Sequence, residues 1–218
     1  MRMIRVFFSK GDRAKYISHL DLTRCLSRSF ARTGIPIWYT EGFNPHIYMT
    51  FALPLPLGFE GARESMDIKL TDDEYPLENN PRELNPVLPI GMEVLDAAPP
   101  VDKPEAIVWA DYDIRLHHPD AARLEGEMSA FLGREEIVVI KKSKHRTQEL
   151  DLKPHFRVLG LEREGETVRL TLRTAAGPAL NINPSLLLGA YEERGGTAPE
   201  YTQVMRTAIL RGDLSEFA

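Results

Sequence analysis

Apolar and polar positions alternate along this chain in short blocks, which predicts many brief elements rather than a few long helices. Met3 to Ser9 (Met-Ile-Arg-Val-Phe-Phe-Ser) is β-branched and aromatic and predicts a strand, closed by a turn at Lys10-Gly11-Asp12. A helix is predicted from Ser18 to about Arg32. Ser18 followed three residues later by Asp21 is a capping-box pattern, and Thr33-Gly34 with Pro36 beyond stops the helix. On a helical wheel Leu22, Cys25, Leu26, Ser29 and Phe30 share the arc that must pack on a sheet. Arg24, Arg28 and Arg32 form a stripe beside that arc, one residue per turn. Ile35–Tyr39 and Ile47–Leu53 read as extended segments on either side of Glu41-Gly42-Phe43-Asn44-Pro45-His46. Leu53-Pro54-Leu55-Pro56-Leu57-Gly58 predicts an ordered apolar loop, because its prolines remove ladder donors. Ser65–Leu70 alternates as a strand with one wet face, followed by a short helix around Pro81–Leu88 and a strand at Met92–Ala97.

The resulting order over residues 1–98 is strand, helix, strand, strand, helix, strand, the βαββαβ arrangement of a ferredoxin-like unit. Residues 99–105 are proline-rich and read as a linker. The order then recurs over residues 106–218. A strand at Ile107–Leu116 leads to a helix from Pro119 to Leu132, and Phe156–Glu162 and Thr167–Leu172 flank a turn at Arg163-Glu164-Gly165-Glu166. A helix opens at Asn183-Pro184-Ser185, and Tyr201–Leu210 closes the set. Residues 136–153 predict an inserted hairpin with a basic tip. The expected fold class is therefore α+β, two ferredoxin-like units in tandem, the second carrying a basic hairpin insertion.

Charge is uneven along this frame. The 218 residues have a formal net charge of −5. Residues 2–33 nevertheless carry eight bases against Asp12 and Asp21, and residues 60–105 hold twelve acids against four bases. A second basic island lies at Lys141, Lys142, Lys144, Arg146 and Lys153. The field at a binding face matters more than the total, so an acidic chain can still bind a polyanion. No apolar run reaches the ~18–20 residues of a membrane span, and the N-terminal residues show no signal-peptide core; a cytoplasmic protein is expected. The single cysteine, Cys25, excludes a disulfide, a four-cysteine zinc site or an iron–sulfur cluster within the chain; inside a helix it reads as a small buried apolar residue. His117 and His118 are adjacent and lack a ligand set around them, so neither a metal nor a cofactor is expected.

Three places carry candidate chemistry. At Tyr16-Ile17-Ser18-His19 the start of the first helix offers amide donors to a phosphate; His19 there can donate to the phosphate, act as acid or base, or pack beside the sheet. The loop Glu41, Phe43, Asn44 and His46 projects polar groups from a sharp turn, with Phe43 either stacking on a base or filling the core. His19 and His46 together would suffice for metal-free RNA cleavage. The third place is the hairpin tip, Lys141, Lys142, Lys144 and Arg146, which can follow a nucleic-acid backbone.

Tyr16-Ile17-Ser18-His19-Leu20-Asp21-Leu22, Arg24, Gly34-Ile35-Pro36, Glu41-Gly42-Phe43-Asn44-Pro45-His46 and Ala52-Leu53-Pro54-Leu55 with Leu57-Gly58 resemble the radical-SAM-linked protein family. This bacterial family of unknown function accompanies, or is fused to, radical SAM proteins. The resemblance implies a companion of such an enzyme rather than the enzyme itself, since the Cys-x-x-x-Cys-x-x-Cys motif is absent. The element order is also similar in architecture to the paired ferredoxin-like domains of CRISPR RNA-processing endonucleases. The expected function is an RNA-binding accessory protein, tRNA- or ribosome-related, partnered by a radical SAM protein. The alternatives are a metal-independent endonuclease using His19 and His46, and a protein-interaction module docking through the acidic 60–105 segment.

Overall fold

A computed structural model describes residues 1–143, 146–178 and 180–218. The chain divides into two units, the first made of Met1–Ile107 with Met205–Ala218 and the second of Val108–Val204. Both are mixed α+β and mostly antiparallel. Residues 99–105, expected as a linker, fall within the first unit, and residues 205–218, expected in the second, return to the first. Their pairing partners lie some 140 positions upstream in sequence, as in Met205 opposite Glu60, a distance that local patterning cannot register.

In the first unit, β1 (Arg2–Lys10) is buried from Ile4 to Phe8 on both faces, as expected of a central strand. Its flanking partners are β3 (Glu60–Leu70) and β4 (Met92–Ala98), both antiparallel. The short β2 (Met49–Phe51) pairs with the far end of β3, giving the order β4-β1-β3-β2. The extended segments expected at 35–39 and 47–53 shrink to β2 and to bridges at Ile37–Leu70 and Tyr39–Ile47. Pro36, Pro45 and Pro54 interrupt the donors that longer strands would need. Helix α1 (His19–Phe30) and helix α2 (Asn79–Leu84) cover one face; Leu22, Leu26 and Phe30 pack with Ile4, Val6, Phe8, Met66, Ile68 and Leu70. Cys25 is half-buried at the edge of that face rather than sealed in it.

The second unit has β5 (Ile107–His117), α3 (Ala121–Leu132), the hairpin β6 (Val138–Ser143) and β7 (Arg146–Asp151), then β8 (Phe156–Glu164), β9 (Thr167–Ala175) and α4 (Pro184–Glu193). Its sheet runs β5-β9-β8, and the first residues of β10 (Tyr201–Arg211) lie beside β5. Tyr112, Ile114 and Leu116 face the apolar side. On the alternate positions Arg173 holds Asp111 at 2.7 Å and Arg169 holds Asp113 at 2.8 Å. The β8–β9 turn closes through Gly165, whose φ of 63° is the left-handed conformation that a two-residue hairpin loop requires. The inserted hairpin is present at the expected place, with Lys141, Lys142 and Arg146 on its strands; Lys144, at the tip, lies outside the described residues.

Glu127 of α3 ties this unit together. Its carboxylate accepts from Arg123, from the Thr197 N–H and from the Tyr191 hydroxyl. The Arg123 hydrogen bond and then those of Thr197 lower its pKa to about 2. A depressed carboxyl pKa contributes stability above the ordinary glutamate range, and that contribution fades as pH falls toward 2. Glu127→Gln is therefore expected to flatten the acid limb of a plot of urea midpoint against pH between about 4.5 and 2. An unchanged acid limb would show that Glu127 is not its source.

Candidate nucleic-acid interface

Helix α1 begins as its sequence demands. The Ser18 hydroxyl oxygen accepts from the Asp21 N–H at 3.2 Å and donates to the Asp21 carboxylate at 2.8 Å. That hydrogen bond, and then the one from Arg24, hold the Asp21 pKa below its ordinary value. The positive end of the helix is thus already balanced by a carboxylate, which weakens it as a seat for a phosphate. Tyr16 is 65% exposed just before the cap, and the exposed His19 ring packs edge-on against Phe51 at 4.9 Å. Of the three alternatives for His19, packing is the contact present, and the ring stays accessible.

The loop 41–46 is wholly exposed, and Phe43 stands fully in solvent rather than in the core. Gly42, at φ 126°, makes the turn that Glu41, Phe43 and Asn44 share. His46 folds back on its own loop. Its N–H donates to Thr40 Oγ1 at 3.1 Å, and Nδ1 lies 3.0 Å from that oxygen and 3.1 Å from the Asn44 carbonyl. A carbonyl only accepts, so a hydrogen bond to Asn44 places the ring proton on Nδ1. His19 and His46 have no partner in common. His19 packs on Phe51, five residues after His46, and extended chain of that length spans roughly 16 Å at ~3.3 Å per residue.

The basic stripe resolves into three different situations. Arg24 pairs with Asp21 at 3.2 Å. Arg32 donates to the Val87 carbonyl and is held against the α2 region. Arg28 is exposed and has no carboxylate within ion-pair distance among the described residues. The basic stretch 2–33 and the acidic stretch 60–105 also partly neutralise one another inside the first unit, Arg5 with Asp67 and Lys15 with Glu60. Much of the acidic 60–105 segment is therefore engaged internally instead of forming one docking face.

Sequence reading passed over a further group. Lys69 of β3 reaches the rings of both Trp38 and Tyr48, with its Nζ 4.9 and 4.4 Å from their centroids. The Trp38 N–H bonds the Lys69 carbonyl at 2.9 Å and fixes the segment in place. Alternation along β3 was the available signal, because Ile68 and Leu70 point inward and Lys69 must point the other way. The aromatic partners come from a proline-interrupted stretch that gave no such cue.

A family described as an uncharacterized protein conserved in bacteria (DUF2344) matches residues 3–184. The chain belongs to this family. No curated protein matches the sequence. Among solved structures, a chain in a crystal structure of a Cbf5-Nop10-Gar1 complex is 14% identical with a TM-score of 0.49, covering 94% of this chain. This family member spans 48% of the length of that chain. Among the described residues of this DUF2344 protein, no helix is long and apolar enough to cross a membrane. No group of three or more histidine, cysteine, aspartate or glutamate side chains is placed to hold a metal ion among them.

Proposed function

We propose that this protein is an RNA-binding accessory protein, tRNA- or ribosome-related, working beside a radical SAM enzyme. The observation that carries the reading is that the first unit holds both exposed rings and cations that lack a carboxylate partner among the described residues. Tyr16 and Phe43 are exposed, and Arg13, Arg28 and Lys69 have no acid within ion-pair distance among the described residues. Rings and free cations together suit a partner that presents both bases and phosphates. The sequence resemblance to companions of radical SAM proteins supports the choice of partner. The strand orders β4-β1-β3-β2 and β10-β5-β9-β8, each all-antiparallel in the pairs described, support reading both units as ferredoxin-like.

The test is an anisotropy titration of labelled total tRNA, in EDTA, at two salt concentrations. Salt-sensitive binding is expected. Within the stripe, Arg28→Ala is expected to reduce the salt slope by about one, the loss of one phosphate contact. Arg32→Ala, whose guanidinium already serves the Val87 carbonyl, is expected to leave the slope unchanged. No binding at low salt would remove the RNA reading, and equal effects of the two variants would remove the assignment of Arg28.

A further inference from the structure

We propose that Trp38, Tyr48 and Lys69 form a seat for one nucleotide of single-stranded RNA, with the phosphate on the Lys69 ammonium and the base against an aromatic ring. This inference rests on the RNA-binding reading above and specifies which RNA and where.

The geometry begins with β3. Met66, Ile68 and Leu70 are buried against the helices, so Lys69 emerges on the opposite face of the sheet. There it meets Trp38 and Tyr48, whose ring centroids are 6.2 Å apart and whose planes are inclined at 56°. The ammonium lies 4.9 Å from one centroid and 4.4 Å from the other, within the range where ring faces attract a cation. Ring faces hold an ammonium without saturating it. Its three N–H donors find no carboxylate within ion-pair distance among the described residues. The cation is thereby fixed in position with hydrogen-bonding capacity left over, as an anion site requires.

The rings decide the class of anion. A bare phosphate or an acidic peptide would use the ammonium alone. A nucleotide uses both groups, because its base has a flat face to stack and its phosphate a charge to neutralise. Base faces inside a duplex are already stacked, whereas those of a single strand or loop are free. All three residues are half-buried, so the rings are held in place yet retain accessible surface. Trp38 and Trp109 are the two tryptophans, and Trp38 therefore reports on its own seat once Trp109 is replaced.

The experiment titrates the full chain carrying Trp109→Phe with a short oligouridylate, following tryptophan emission and, separately, anisotropy of a labelled strand. Quenching of Trp38 is expected with the single strand and not with a duplex of equal phosphate number. Lys69→Gln is expected to retain the fold by circular dichroism and to lower the salt slope by about 0.7, one phosphate on a single strand. Trp38→Ala is expected to weaken binding about 5–150-fold, the range for losing one stacked base. Binding by anisotropy with unchanged emission, and with Lys69→Gln behaving as wild type, would overturn this seat while leaving RNA binding intact. Equal quenching by the duplex would overturn the single-strand assignment. Quenching by uridine monophosphate as tight as by the oligomer would overturn strand binding in favour of a free nucleotide. Absence of any binding would overturn the broader reading first, and this inference with it.

Discussion

Glu64→Ala is expected to lower the stability of the first unit by about 3–5 kcal/mol, the range for stranding a buried charge without its partner. Arg206 and Glu64 have side chains only 2% and 4% exposed. Arg206 Nε donates to one carboxylate oxygen at 2.9 Å, while Nη2 donates to the other and to the Leu53 carbonyl. Removing the carboxylate takes the bidentate counter-charge away from a guanidinium buried in a low-dielectric interior. A second cation is affected. Lys10 is 2% exposed and donates to the Ile17 carbonyl at 3.3 Å. Burial pulls the Lys10 pKa down, and the Glu64 charge opposes that pull. Without Glu64 the amine is expected to lose its proton more readily. Denaturant unfolding followed by Trp38 emission, in a Trp109→Phe background, measures the loss. A change below about 1 kcal/mol would equate the pair with an exposed ion pair and refute the expectation.

The second large effect is expected from Phe8→Ala, at about 3–5 kcal/mol for a large ring removed from a packed core. Phe8 is 2% exposed and meets Phe51 edge-on at 6.3 Å. Phe51 in turn is the surface on which His19 packs. The cavity left by Phe8 should therefore let Phe51 sink and displace the histidine ring. Two readouts follow: a lowered unfolding midpoint and a shifted His19 ring resonance in the folded protein. A destabilised variant with an unmoved His19 resonance would show that the three rings are not mechanically linked.

Local features of this fold were readable because local chemistry decides them. The Ser18 cap, the Gly165 turn, the helix opening at Asn183-Pro184-Ser185 and the strand over Met3–Ser9 depend on residues a few positions apart, and each is present. The wheel placed Leu22, Leu26, Ser29 and Phe30 correctly on the buried face of α1. What escaped depends on partners distant in sequence. Arg32 reads as a free cation until Val87 is brought beside it, and Glu64 reads as one acid among many until Arg206 returns from residues 142 positions away. The same reason governs the candidate site. The motif residues Tyr16, His19, Phe43 and His46 were visible as types, but their spacing in three dimensions was not. Lys69 looked like an ordinary outward residue of a strand because its rings come from a different segment.

Residues 205–218 complete the first unit although they follow the whole of the second in sequence. Phe217 lies under the Arg5 guanidinium at 4.2 Å, and the Ala218 carbonyl accepts from Arg5 and from the backbone of Val101 and Asp102. Arg5 itself is buried and bound to Asp67. During synthesis, the amino-terminal half thus emerges from the ribosome with its sheet unfinished and the underside of Arg5 bare. It stays so until residues 205–218 have followed. The middle of the chain is under no such constraint, so the usual rule that earlier domains mature first is reversed here. This unit also joins positions as far as 213 apart in sequence, a slow step whatever the strength of the contacts that reward it.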